Sequence, residues 1–386
     1  MIRLLPMVAF ILTACTSQPA PAQSAQAPIT GTRTPADPPF IATPMAKFDS
    51  PWAMAFLPDG RMLVTERKGR LLLVSADGRL TTNVAGVPKV DSDGQGGLMD
   101  VVTAPDYNQS RNIYFSFSEN GHGGKGVVLA RATITPDIMC IRAPCPTFHS
   151  LIDVKILYRA HPYVSGSGHY AGRIAFSPDR QFLFFTNGER QKFTPAQDPK
   201  ASLGKVLRLT LDGKPAPGNP LVAKGFDPAI WSYGHRNLLG IAFDAQGRLW
   251  EQEMGPMGGD ELNLILPGRN YGYPIVSNGN HYDGRDIPDH PTRPEFEAPK
   301  VSWNPVISPS GLMIYSGAMF PNWKGNIFIG GLSSESLIRV EVNGDTAREA
   351  ERYAMDARIR EVEQGPDGAI WLLEDGGRLL KLTPKP

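Results

Sequence analysis

FLPDGRMLVTERKGRLLLVSADGRL, residues 56–80, decides the fold. Two short apolar runs, 62–64 and 71–74, lie between turns built from Pro58-Asp59-Gly60, Lys68-Gly69 and Asp77-Gly78. Glycine and aspartate reach the left-handed conformations that tight hairpins need, and proline presets the turn entry. The stretch therefore reads as consecutive antiparallel strands. The same grammar returns in IAFSPDRQFLFFTNG at 174–188, VLRLTLDGKP at 206–215, IAFDAQGRLWEQE at 241–253 and EQGPDGAIWLLEDGGRLLKLTP at 363–384. An apolar pair, then F-x-P-D-G, then another apolar run recurs near residues 53, 174, 240 and 362, with weaker forms near 101 and 321. Helical periodicity is nearly absent. A spacing of roughly 40–80 residues between similar hairpins indicates a radial repeat. The expectation is an all-β, six-bladed β-propeller of four-stranded antiparallel sheets. A β-sandwich would rarely need so many similar hairpins. The last strands, near 379–383, are expected to share a blade with the first ones and close the ring.

Outward from this core, the chain divides into three parts. Residues 1–14 read as a lipoprotein signal peptide: Arg3, an apolar run from Leu4 to Leu12 too short to span a bilayer, then Leu12-Thr13-Ala14-Cys15. Residues 15–40 read as an acylated Cys15 and a flexible tether rich in Pro, Ala, Gln, Ser and Thr. Residues 41–386 form one propeller domain. The expected location is the periplasm, lipid-anchored, most simply at the outer membrane because Thr16 rather than aspartate follows Cys15. Gly 40 and Pro 36 are spread throughout, and the formal charge of +1 is mixed along the chain, so no nucleic-acid surface is indicated. Export places Cys140 and Cys145 in an oxidising compartment, where a local disulfide is the default and two free thiols the alternative. This segment and residues 274–300, rich in Asn, His, Asp and Pro, break the repeat and read as long loops near a rim, where substrate contacts commonly lie.

Several segments, in order, carry a resemblance: PWAMAFLPDGRMLVTERKGRL, GQGGLMDVVTAPDY, GHYAGRIAFSPD, LGKVLRLTLDG, WSYGHRNLLGIAFD, EMGPMGGDELNLILPGRNYGYP, SPSGLMIYSG and ARIREVEQGPDGAIWLLED. Together they span nearly all of residues 45–384, and the combination of WSYGHRN, GPMGGDELN and NYGYP is the specific part. In these the chain resembles the soluble aldose sugar dehydrogenases dependent on pyrroloquinoline quinone (PQQ) and calcium. The resemblance implies oxidation of an aldose at C1 to the lactone, by proton abstraction and hydride transfer to the quinone.

It also implies roles for residues. His169, in the glycine-rich SGSGHYAG, would be the general base, a task that suits an imidazole titrating near neutrality. Glu189 would orient it, where the family usually carries aspartate. Arg236 and Asn237 would face the quinone carbonyl on which charge develops. Gln95 and Gly168 would line the cofactor, Gly168 standing where relatives often carry an acidic residue or histidine. Arg358 and Arg360 alternate on a strand and suit the three PQQ carboxylates. Trp303 would stack on the ring. Met254 replaces a polar cofactor contact, and the lysine that relatives supply near residues 330–333 is absent. Calcium would take the backbone oxygens of Gly255 and Pro256, and Glu261 with the Tyr271 carbonyl would hold a second, structural calcium. The partners expected are an aldose, a periplasmic or membrane electron acceptor, and the membrane through its lipid anchor. The alternative is a cofactor-free propeller binding carbohydrate or protein, favoured by Met254, Gly168 and the missing lysine. A lactonase-type hydrolase would need a calcium cradle of side-chain carboxylates around the channel, which the sequence does not display.

Overall fold

The computed structural model describes residues 33–121, 123–135 and 148–386. Cys15, Cys140 and Cys145 lie outside these residues, so the readings of acylation and disulfide formation do too. The expected six blades of four antiparallel strands form, with a separate two-stranded pair of Met257–Gly258 and Gly279–Asn280. Blade 1 comprises Pro51–Phe56, Met62–Glu66, Arg70–Val74 and Thr81–Ala85. Blade 2 comprises Leu98–Thr103, Asn112–Gly121, Gly124–Ile134 and His149–Arg159. Blade 3 runs Ala171–Phe176, Phe182–Asn187, Lys205–Thr210 and Ile230–Tyr233. Blade 4 runs Leu238–Phe243, Leu249–Glu253, Asp260–Ile265 and Val301–Trp303. Blade 5 runs Pro309–Ile314, Ile327–Gly331, Ser336–Asn343 and Thr346–Ala354. Blade 6 takes Ile359–Gln364, Ile370–Glu374 and Arg378–Pro384 from the C-terminal end and Phe40–Lys47 from the other. The expected closure is thus made by antiparallel pairing of Phe40–Lys47 with Arg378–Pro384. The outer strands of blades 1 and 2 also touch through a short parallel pairing of Val84 with His149. Among the described residues, no helix is long and apolar enough to cross a membrane.

The repeated turn has one physical form. In blade 1 the Leu57 N–H donates to the Arg61 carbonyl and the Gly60 N–H to the Leu57 carbonyl. Blades 4 and 6 repeat it at Asp244–Arg248 and 365–369. The left-handed residue is Gly60, Gly247 or Gly368, each with φ between 78° and 87°. Blade 5 departs from the expected phrase: its inner hairpin is long, and the sequence near 321 is a 3-10 turn, Pro321–Trp323, inside that connection rather than a strand start. Phe320 and Trp323 stack there and pack beneath the blade, so an apolar turn looked like a strand.

The innermost strand of each blade packs on the next, and the sixth on the first. All six carry a register shift near their first residues: 51/54, 98/101, 171/174, 238/240, 309/312 and 359/361. A bulge bends the strand and re-aims its side chains. The six bulges therefore define one rim, at the starts of the inner strands, onto which the loops after the second strands also emerge. At the centre, Arg173 of blade 3 ties the ring together. It pairs with Glu361 of blade 6 and with Asp100 of blade 2 at 3.3 Å, donates to the Leu239 carbonyl of blade 4 at 2.8 Å, and lies 4.1 Å above the Trp52 ring of blade 1.

Candidate active site

The bulged rim collects most of the singled-out residues, because Gln95, His169 and the Arg236–Asn237 pair each sit just ahead of an inner strand. Glu189 and Met254 follow second strands, which run the opposite way and end at the same rim. Backbone bonds tie the rim together there, within and between blades. The Gln95 N–H donates to the Ser167 carbonyl at 2.8 Å, the Glu189 N–H to the Arg236 carbonyl at 2.9 Å, and the Met254 N–H to the Asn237 carbonyl at 3.1 Å.

His169 is buried, with its Nδ1 2.5 Å from Glu189 Oε1. A carboxylate accepts, so Nδ1 carries the proton and Nε2 is the basic nitrogen. Glu189 Oε2 takes the N–H groups of Lys192 and Phe193 at 2.6 and 2.7 Å, which fixes the carboxylate from its other side. The Gln95 side-chain oxygen accepts from the His169 N–H at 2.7 Å, so Gln95 holds the histidine loop in place. Burial pushes the His169 pKa down, against the hydrogen bond and charge of Glu189, and Arg236 and Arg190 push the same way. Burial would raise Glu189, but the His169 hydrogen bond and charge, the Phe193 N–H and Arg236 together hold it below the usual carboxylate range. The result is a neutral imidazole backed by a carboxylate anion at neutral pH.

The backbone here is strained. His169, Ala171, Arg190, Gln191 and Phe193 all have φ between 48° and 62°, a region that non-glycine residues seldom enter. Arg190, buried, supports it by donating to the carbonyls of Gly168, Lys125 and Gly166 at 2.7–2.9 Å, with its guanidinium 3.7 Å from the Tyr170 ring centroid. Sequence reading passed over Arg190; the signal was a second charge after Gly188-Glu189, but its acceptors lie in the 166–168 loop and at Lys125, both distant from it in the chain. Gly168 faces Gln191, and a Cβ at 168 would lie 2.5 Å from that side chain, so Gln191 fills the space beside it.

Arg236 donates to the Met254 carbonyl at 2.9 Å and to the Tyr282 hydroxyl at 3.3 Å. Its Nε and the Asn237 Oδ1 are buried without a protein partner. Glu253, also missed, positions the pair: its carboxylate accepts from the Arg236 and Asn237 N–H groups and contacts His235 Nδ1 at 3.1 Å. Met254 is half-buried, with its sulfur 3.8 Å from Asn237 Nδ2. The Gly255 N–H donates to Asp260 Oδ1 at 2.9 Å, and a methyl at 255 would fall 2.3 Å from the Gly258 and Gly259 carbonyls. This turn leaves the oxygens of Gly255 and Pro256 with no backbone N–H directed at them among the described residues.

Behind it, Glu253, Glu261 and Tyr271 line a small pocket shared with Arg236, Met254 and Gly255. Glu261 contacts His290 Nε2 at 3.4 Å, and the Asn263 amide stands 3.3 Å from each of Glu251, Glu253 and Glu261. His235, Glu251 and Glu253 could bring ligand atoms within 4.8 Å of one another. Burial, with the neighbouring Glu253 charge, pushes Glu251 well up. The buried Asn263 Oδ1 and Glu251 Oε1 lack partners. The buried cluster of Glu251, Glu253, Glu261 and Asn263, acidic and incompletely satisfied, fits a divalent cation.

Arg358 and Arg360 reach the same rim from blade 6, and both bind Asp375, at 2.9 and 2.7 Å. Trp303 is the correction. It is buried on the outermost strand of blade 4, among the apolar residues shared with blade 5, and its indole N–H donates to Glu349 at 2.5 Å. It cannot cover a ring at the rim, because strand alternation turns its face into the seam between blades. The aromatic groups beside Arg236 are instead Tyr273 and Tyr282, with ring centroids 5.8 and 5.7 Å from its guanidinium.

The closed six-blade ring and this rim define a propeller with a buried, carboxylate-backed histidine at one face. The family model for Glucose / Sorbosone dehydrogenase matches residues 48–381, and the chain belongs to that family. It is 38% identical over 351 residues to the aldose sugar dehydrogenase YliI of Escherichia coli, covering 88% of this chain and 91% of that protein. The crystal structure of the soluble aldose sugar dehydrogenase of E. coli in the apo form superposes with a TM-score of 0.81 at 36% identity, over 90% of this chain and all of that one. The PQQ-bound form of aldose sugar dehydrogenase from Streptomyces coelicolor gives 0.71 at 30% identity, over 92% of this chain and all of that one.

Proposed function

We propose that this enzyme oxidises the C1 hydroxyl of an aldose to the lactone with PQQ and calcium. The observation that carries the reading is the buried His169–Glu189 pair standing beside Arg236 and Asn237, whose Nε and Oδ1 lack protein partners. Such orphaned groups fit a polar ligand, and the cations Arg236, Arg358 and Arg360 on one rim suit a tricarboxylate. When bound, PQQ supplies the two-electron acceptor for the hydride. Arg236 and Asn237 would hold it, with Gln95 and Gly168 alongside. Calcium would take the main-chain oxygens of Gly255 and Pro256, and a second ion Glu261 and the Tyr271 carbonyl.

His169 Nε2 accepts the proton of the C1 hydroxyl. Glu189 keeps Nδ1 protonated and stabilises the imidazolium that forms. Arg236 and Asn237 place a cation and an amide N–H where negative charge develops. The rim's strained, bonded loops hold these groups before substrate arrives.

The test is reconstitution of metal-depleted protein with PQQ and calcium, followed by dye-linked oxidation of a panel of aldoses. Turnover that requires both additions and disappears on chelation is expected. PQQ binding without oxidation of any aldose would overturn the substrate; no PQQ binding would promote a cofactor-free binding propeller. The lipoprotein reading is proposed alongside. The mature N-terminus should be an acylated Cys15, found by mass spectrometry, and an unmodified terminus elsewhere would refute it.

A further inference from the structure

We propose that Asp260, at the junction of blades 4 and 5, is a positioning residue that presets the Gly255–Pro256 turn and holds Arg236 through the single peptide between Met254 and Gly255. The proposal rests on the PQQ and calcium reading and deepens it.

Asp260 opens the third strand of blade 4 and is 1% exposed. A carboxylate so far from water needs its hydrogen bonds made within the protein. Three backbone N–H groups make them. Oδ1 accepts from Gly255 at 2.9 Å, and Oδ2 from Ile307 and Ser308 at 2.8 and 2.7 Å.

The Gly255 bond reaches beyond its own turn. The carbonyl of the same peptide belongs to Met254, and it accepts from Arg236 Nη1 at 2.9 Å. In a planar trans peptide the N–H and C=O point opposite ways, so one rigid unit lies between the Asp260 carboxylate and the Arg236 guanidinium. Its N–H end faces the anion and its carbonyl end the cation, and both bonds are charge-assisted. Turning this peptide would break both bonds and carry the Gly255 oxygen with it.

The other carboxylate oxygen reaches across the blade seam. Ile307 and Ser308 lie in the connection from Val301–Trp303 to Pro309–Ile314, and Ser308 sits at φ 49°. The Ile307 carbonyl accepts from Ser333 at 3.2 Å and the Ser308 carbonyl from Leu332 at 3.0 Å. These two donors follow the second strand of blade 5, and the Leu332 carbonyl meets Arg358 Nη1 at 3.5 Å. One buried carboxylate thus joins the turn, Arg236 and the loop beside Arg358 into a single hydrogen-bonded piece. Metal affinity depends on the groups that orient the ligands as well as on the ligands themselves.

The experiment measures residue-resolved amide hydrogen exchange, the calcium dependence of PQQ binding and the thermal midpoint, in wild type, Asp260→Asn and Asp260→Ala. In wild type without calcium or PQQ, the Gly255, Ile307 and Ser308 amides should already be protected. Protection that arises only when both are added would overturn the proposal without need of a variant. Asparagine offers one oxygen, which suits the paired Ile307 and Ser308 donors and turns an NH2 against the Gly255 N–H. Asp260→Asn should therefore lose protection at Gly255, and its half-maximal PQQ binding should need about 10–100-fold more calcium. Asp260→Ala should lose protection at all three amides. A lowered thermal midpoint with an unchanged calcium requirement would make Asp260 a purely structural group and overturn the positioning role. Failure of wild type to bind PQQ would instead defeat the cofactor reading, and the exchange data would still decide whether Asp260 presets the turn.

Discussion

At the residue scale, the His169–Glu189 pair sets the pH behaviour. Burial depresses the His169 pKa below its ordinary value, so the neutral base persists into mildly acidic solution, and the acid limb of kcat/KM should fall below the usual histidine range near 6.5. Glu189→Gln removes the one partner that raises this pKa, so the limb should move to still lower pH. Turnover should drop by about 10²–10⁴, because the imidazolium loses its counter-charge. A limb that moves upward, or an unchanged rate, would contradict the role given to Glu189. Met254 offers the second test. Its thioether stands beside Asn237 where a polar side chain could bond the cofactor. Met254→Gln or Met254→His should tighten PQQ binding by about tenfold or more, the worth of one hydrogen bond to an enclosed polar group, measured by titration in excess calcium. Equal affinities would show that the methionine is already compensated.

At the element scale, the loop from Gly188 to Gln197 delivers Glu189 and Phe193, and Lys205 fastens it from below. The buried ammonium donates to the carbonyls of Pro195, Ala196 and Leu203 at 2.7–3.0 Å. Burial pushes its pKa down to about 7. In the unfolded chain it titrates near 10.4. Between those values the unfolded state binds more protons, so this residue's contribution makes stability rise with pH from about 7 towards 10. Lys205→Met should abolish that slope, seen by comparing denaturant unfolding of wild type and variant at about pH 7 and about pH 9. A variant that keeps the slope would remove Lys205 from the account.

At the scale of the whole molecule, the ring is closed in two places. Phe40 is buried in the closing strand, edge-on to Trp323 and Tyr353 of blade 5. Phe40→Ala should cost about 3–5 kcal/mol, and deleting Phe40–Lys47 should expose the edge of Arg378–Pro384 and lower the thermal midpoint with aggregation. The second closure is central. Arg173 binds groups from blades 2, 4 and 6 and covers a ring of blade 1. Arg173→Ala leaves Asp100 and Glu361 buried without their cation and should cost about 3–5 kcal/mol. Calorimetry checks both; a ring indifferent to either change would not be closed as described.

The sequence by itself determined the blade grammar. Turn residues such as Gly60, Gly247 and Gly368 act through local backbone sterics, which neighbours in the chain suffice to specify, and the alternation of apolar residues between them follows from the strand's two-residue period. The resemblance of its motifs likewise grouped His169, Glu189, Arg236 and Asn237, and the fold brings them together because each lies next to a strand end that the propeller directs to one rim. Only the tertiary structure decided which groups complete that site. Trp303 was assigned by its motif, but the seam between blades 4 and 5 takes its indole. Arg190, Lys205 and Glu253 read as ordinary charges, since their acceptors and donors come from other turns and strands. Contacts between residues far apart in sequence depend on how six blades pack around an axis, and short-range patterns do not encode that geometry.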